Sequence, residues 1–342
     1  MDKLDFSGKE IKLFFMQSRK LVSGLDVVKF IMAIFIVDTH VKGYLITPPL
    51  LRDYVILPIE SLSVPTFFLI SSFLFFRKAR YAENQMALVG HFLKRLCILY
   101  LFWCVIWSPI IYLQKEYFHP FTIWVPLYII RDFFFGNMFD ASWFLGALLV
   151  GVPMVWGLSR LFKKDVLVIL LPLLVYLYLH YVKELPSEWA VLYDWYNDFK
   201  SPNLSFPGGL LWITLGYVMA NNSVMTWMEK VRNSFAWVAV LLFLILSFFI
   251  PIVPKILCVV ALFVAAYTWQ LPEHPQLYRR FRTYSILFYV IHDCFKKIPK
   301  QLFGWENGPL LFVVTIAFCF LASEFIMRMK DVKGFGWLKY AY

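Results

Sequence analysis

Apolar segments about as long as a bilayer is thick recur along the whole chain, and this recurrence limits the fold more than any single motif does. Ten stretches qualify, at about 26–46, 54–76, 95–113, 141–162, 166–182, 204–221, 234–251, 253–270, 283–299 and 309–328. A segment in hydrocarbon must satisfy its own backbone hydrogen bonds, so each is expected to be a helix. Composition agrees, since 61% of the 342 residues are hydrophobic and 16% are charged. Soluble domains carry about 25% charged residues. The expected fold class is all-α, a polytopic membrane protein of about ten transmembrane helices with no large water-soluble domain.

Charge sets the expected orientation. An eleventh stretch, FTIWVPLYIIRDFFF (121–135), is short and holds Pro126 and Arg131. Lysine and arginine concentrate on the cytoplasmic side of membrane proteins. With ten spans and a cytoplasmic N-terminus, inside segments carry 22 of these cations and outside loops 10. Counting 121–135 as a crossing reduces the contrast to about 17 against 15. Ten spans with both termini cytoplasmic is therefore expected, and 121–135 becomes an interfacial or re-entrant element on the outer side. Residues 1–24 read as a cytoplasmic N-terminal segment with no cleavable signal pattern. Residues 25–328 read as the membrane domain and 329–342 as a cytoplasmic tail. The expected location is the inner (cytoplasmic) membrane. The net charge of +11 then serves topology. The partner it implies is the lipid bilayer, not nucleic acid. The five cysteines, at 97, 104, 258, 294 and 319, lack paired spacing, so neither a disulfide framework nor a metal site is expected.

Residues 183–203 and 114–140 form the longest expected outer loops. The first is rich in Trp, Tyr and acidic residues. Such a loop suits stacking on sugar rings, and it also suits an ordinary aromatic belt at the membrane interface. No internal repeat is visible.

Ionisable groups inside apolar segments mark candidate sites. Lys29 and His40 lie eleven residues apart in LDVVKFIMAIFIVDTHVKGYL. Eleven helical steps return to within about 20° of the start and rise roughly 16 Å, so both side chains share one face. Asp26, one turn before Lys29, fits an interfacial ion pair as well as a site. Asp38 points the other way, and an i,i+4 pair with Lys42 is the simplest account of it. In the next segment Pro58 and Pro65 flank Glu60, Ser61 and Ser63, which predicts a kinked, polar-lined helix. Arg77, Arg80, Lys94 and Arg95 flank one inner loop; topology alone explains them, and so does an anionic cofactor such as the phosphates of coenzyme A. Tyr289 and His292 share a face of SILFYVIHDCF. Among soluble-enzyme signatures, neither a Gly-rich phosphate loop nor GxSxG nor HExxH occurs.

Several stretches taken together resemble the acyltransferase-3 family of integral membrane acyltransferases, the polysaccharide and fucose O-acetylase-like group. They are GLDVVKFIMAIFIVDTH, VPTFFLISSFLFF, FLKRLCILYLFW, SWFLGALLV, LLWITLGYVMA and SILFYVIHDCF, in that order. Lys29 stands where the family has an arginine, eleven positions before the family's histidine, here His40. Ser72 replaces a glycine after Ser71. Arg77 and Arg80 have the spacing of the family's arginine pair, whereas Lys94 and Arg95 have its location.

The resemblance implies an enzyme: a membrane O-acyltransferase. It would move an acyl group, most simply acetyl, from cytoplasmic acetyl-CoA or another acyl-CoA to a hydroxyl of a surface glycan or lipid-linked sugar. His40 is then the expected general base or transient acyl carrier, and Lys29 binds the donor or sets the field on its path. Arg77, Arg80, Lys94 and Arg95 are candidates for the donor's phosphates. Tyr289 and His292, with Asp26 and Glu60, are candidates for the acceptor side or for support. No permanently bound cofactor is expected. The alternative is a glycan or small-molecule transporter or flippase with a proton relay through His40 and Glu60.

Overall fold

A computed structural model describes residues 22–162, 164–250 and 252–342; the expected N-terminal segment therefore lies almost wholly outside the described residues. Those residues form helices and turns, with no strand among them. In chain order the helices are α1 (Ser23–Val41), α2 (Leu57–Ala79), α3 (Gln85–Ile106), α4 (Ser108–Gln114), α5 (Val125–Phe134), α6 (Trp143–Leu161) and α7 (Asp165–Tyr181). They continue with α8 (Ser187–Asn197), α9 (Phe206–Met219), α10 (Asn222–Lys230), α11 (Asn233–Leu246), α12 (Val253–Thr268), α13 (Pro275–Phe303) and α14 (Pro309–Met329). Every one of the ten apolar stretches contains a helix.

Among the described residues five helices are long and apolar enough to cross a bilayer by length and composition: Pro49–Ala79, Gln85–Ile106, Asp140–Leu161, Asp165–Glu184 and Pro309–Met329. Shorter apolar helices cover Phe206–Met219, Asn233–Leu246 and Val253–Thr268. Large apolar side chains such as Leu101, Leu174, Leu241, Leu242, Leu321 and Phe325 are exposed on α3, α7, α11 and α14. Water would penalise so much bare hydrocarbon, and lipid does not. The chain is a multi-pass membrane protein.

Burial sorts the helices into a centre and a rim. The most apolar windows of α2 and α6 are 72% and 67% buried, against 22% for α3 and α7. α1 packs against α13, α2 and α12, and α9 fills the gap between α2 and α6. Small residues bring these helices close. A Cβ added at Gly216 of α9 would fall 1.9 Å from Ser72 Oγ and 2.7 Å from Leu69 O of α2. A Cβ at Gly24 of α1 would fall 2.1 Å from Ala266 O of α12. Membrane helices, which lack a strong hydrophobic drive toward each other, rely on such small-residue crossings for dispersion contact.

Some local expectations are corrected. Pro58 lies directly after the π-helical stretch Arg52–Ile56, inside one helical run from Pro49 to Ala79, so the helix changes its hydrogen-bond register there and is not broken. Pro65 lies inside the helix, which nevertheless runs on to Ala79. Ser61 and Thr66 hydroxyls donate to the carbonyls of Pro58 and Leu62 at 2.7 Å. Asp38 does not pair with Lys42. Its Oδ1 accepts from Gly43 N–H at 2.7 Å, and Lys42 ends α1 in the left-handed conformation with φ 55°. Residues 121–135 contain the ten-residue α5, roughly 15 Å long and too short to span hydrocarbon. The expected outer loop 183–203 holds a helix, α8. The tail does not hang free: Gly336–Ala341 folds back, and Trp103 Nε1 of α3 donates to Ala341 O at 3.0 Å.

Candidate functional site: a basic cavity below a histidine pair

The shared face of Lys29 and His40 looks into the centre of the bundle. Lys29 Nζ donates to Ser71 Oγ of α2 at 3.1 Å and lies 5.1 Å from the Phe67 ring centroid. Lys29, Ser71 and Phe67 line a cavity of about 510 Å³. Its apolar walls include Phe67, Phe92, Leu96, Phe144 and Leu148, and its cations are Lys29, Lys94, Arg95 and Lys339, with His91 beside them. Tyr289 of α13 also lines it. A volume of this kind, greasy inside with a few cations, suits a long thin ligand with an anionic head.

One turn along α13 from Tyr289 lies His292. Its ring centroid stands 5.0 Å from that of His40. His292 is fully buried, whereas His40 is half-buried. The Nδ1 of His292 lies 2.9 Å from Phe288 O, which fixes the proton on Nδ1, and Nε2 has no hydrogen-bond partner. His40 Nδ1 is 3.4 Å from Lys296 Nζ. Lys296 and Lys297 each hold Asp293 at 2.6 Å, and Lys297 also holds Asp140 at 3.0 Å, at the entry to α6. Two imidazoles thus cluster with two lysines and two carboxylates, gathered from α1, α13 and the turn before α6. Tyr289 anchors the same wall, its hydroxyl donating to Ala141 O.

The other candidates sit elsewhere. Asp26 accepts from Arg282 through both carboxylate oxygens at 2.8 Å, a clamp between α1 and α13. Glu60 is buried near Asp38 and Thr39, across α1 from His40. Arg80 lies 5.0 Å from the Tyr217 ring centroid, and Tyr217 in turn donates to Asp165 at 2.7 Å. Arg77 lies 5.4 Å from the Phe73 ring centroid. Neither arginine lines the basic cavity, whereas Lys94 and Arg95 do. The structure adds His91, Lys339, Lys296, Lys297, Asp140 and Ser71. Of these only Ser71, inside a quoted motif, and the Lys296–Lys297 pair after HDCF carried any sequence signal. Lys339 reaches the cavity by the folded-back tail. Among the described residues no cluster of metal-ligating side chains forms.

The decisive comparison covers nearly the whole bundle: the family model described as an acyltransferase domain, acyltransferase 3, matches residues 22–328. The chain belongs to the acyltransferase-3 family. No curated protein and no solved structure matches it. The matched span contains α1 to α14 almost entirely, so this acyltransferase carries the histidine pair and most of the basic cavity within its family domain.

Proposed function

We propose that the protein transfers an acyl group, most simply acetyl, from acyl-CoA at the cytoplasmic face to a sugar hydroxyl of a surface or lipid-linked glycan. The observation that carries this reading is the placing of a basic cavity next to a histidine pair inside an apolar bundle. Lys29, Ser71 and Tyr289 line the cavity, the Tyr289 ring centroid is 6.3 Å from that of His292, and His292 is 5.0 Å from His40. A ten-span topology with both termini cytoplasmic, in the inner membrane, orients this arrangement: the beginning of α1, the α2–α3 turn and the folded tail face inward.

In this reading Lys94, Arg95 and Lys339 hold the phosphates of the donor, with charge-assisted hydrogen bonds. The pantetheine arm lies between the phenyl and leucyl walls. Lys29, fixed by Ser71, sits beside the arm or the thioester. His40, the accessible member of the pair, takes the proton of the acceptor hydroxyl as general base. The hydroxyl oxygen bonds to the acyl carbon, the carbon–sulfur bond breaks, and coenzyme A leaves as the thiol after taking up the proton. Should His40 instead carry the acyl group, the same bonds break and form in two steps. The lone pair on His292 Nε2 offers the proton a second station, and the ammonium of Lys296 supports charge developing on oxygen.

The transporter reading needs His40 and Glu60 in one relay. Their separation across α1 favours acyl transfer. Purified protein in nanodiscs, given labelled acetyl-CoA, should release coenzyme A only with an acceptor glycan. Acceptor movement across vesicles without coenzyme A release would overturn the proposal.

A further inference from the structure

A second cavity, about 520 Å³, draws on the first half of α2, from Ser61 to Phe68, whereas the basic one draws on Phe67 and Ser71. Trp143, Tyr176 and Trp212 give it aromatic walls, and His180, Lys183 and Lys255 give it basic groups. An interfacial belt does not explain these rings. Belt residues face lipid, whereas Trp212 is only 4% exposed and stands edge-on to Tyr176 at 5.5 Å. No carboxylate lines the cavity. Among the described residues neither Lys183 nor Lys255 has a hydrogen-bond or ion-pair partner, although Lys255 is half-buried. The indole N–H groups of Trp143 and Trp212 are likewise without partners among them, and so remain available as donors.

Flat apolar faces with free N–H donors suit the C–H face and hydroxyls of a pyranose ring. Unpaired lysines in a half-enclosed space suit one negative charge on it. We propose that this cavity binds a sugar unit bearing an anionic group, a carboxylate or a phosphate. It is a recognition subsite and not the place of chemistry. Phe68 and Trp143 form its floor, and Phe68 leans on Phe144 at 4.5 Å, which in turn meets Tyr289 at 5.1 Å. That wall of rings separates it from the basic cavity. A glycan held here binds by a unit remote from the reacting hydroxyl, and remote binding energy can orient the hydroxyl at His40. The proposal rests on the acyl-transfer reading for the ligand being the acceptor. The cavity's preference for charge can be measured without turnover.

The test uses the full chain in nanodiscs and calorimetric titration with three probes: trigalacturonate, the neutral galactose trisaccharide, and a polyprenyl-phosphate-linked monosaccharide supplied in the lipid. At least one anionic probe should bind ten-fold or more tightly than the neutral one. Preference for trigalacturonate names a carboxylate, and preference for the lipid-linked probe names a phosphate. In the double variant Lys183→Gln/Lys255→Gln that preference should disappear, while coenzyme A still binds, which shows that the bundle is folded. Trp212→Leu should weaken charged and neutral probes alike. Equal binding of charged and neutral probes, or an unchanged preference in the double variant, overturns the proposal. Coenzyme A release that persists through such a result would leave acyl transfer standing without this subsite. Anionic selectivity without any coenzyme A release would do the reverse.

Discussion

His40 and Lys29 occupy one face of one helix but meet different neighbours, and this separates their expected effects. His40→Ala removes the accessible imidazole of the pair. Acceptor-dependent coenzyme A release should fall by about 10²–10⁴, the usual worth of a positioned acid–base group, with unchanged coenzyme A binding by titration. Lys29→Met removes a cation from the proposed donor path. KM for acyl-CoA should rise roughly ten-fold or more, in line with about 1.5–3 kcal/mol for a hydrogen bond to a charged group. Lys29→Arg should recover most of the affinity, since the charge is kept. Asp26 belongs to stability instead. Asp26→Asn breaks a two-oxygen clamp on Arg282. Thermal unfolding in detergent should show a loss of about 2 kcal/mol, with little change in KM.

At the level of elements, close crossings decide what the bundle tolerates. Gly216 lets α9 lie against Ser72 and Leu69 of α2. Gly216→Val places branched carbon where backbone already stands, and the cost of such overpacking is about 1–3 kcal/mol or more. The variant should unfold at lower temperature, and Ser72→Ala in the same chain should recover part of the loss by removing the nearest clashing atom. The tail is a second element with a functional consequence. Trp103 holds Ala341 through its indole N–H, and this brings Lys339 to the basic cavity. Lys339→Gln should weaken acyl-CoA binding, whereas Lys333→Gln, exposed in the same tail and outside that lining, should not. Helix existence was legible because apolar runs and periodicity are local. At Pro58 the irregularity takes the form of a π-helical stretch, Arg52–Ile56, within a helix that continues to Ala79.

For the molecule as a whole, exposed leucines and phenylalanines on α3, α7, α11 and α14 make a lipid-facing rim around a centre built from α1, α2, α9 and α13. The proposed ten-span topology predicts the sidedness of every turn in that frame. In a cysteine-free background, Ser187→Cys in α8 should react with a membrane-impermeant maleimide from outside the cell. Ser223→Cys in α10 should react only in inverted vesicles. Labelling of both from one side would overturn the topology. The net charge of +11 suits the anionic surface of a bilayer.

By itself the sequence determined that the chain is a helical membrane protein, where its apolar helices lie, and that Lys29 and His40 share a stripe. These follow from hydropathy and a fixed rise and turn per residue, both short-range properties. Only the tertiary structure decided what meets that stripe. His292 and Lys296 reach His40 across roughly 250 residues of chain, Lys339 arrives with a folded tail, and Arg80 is taken up by Tyr217. Such meetings depend on which helix faces pack together, and packing is set by Gly216, Gly24 and their neighbours across the whole bundle rather than by any window of sequence.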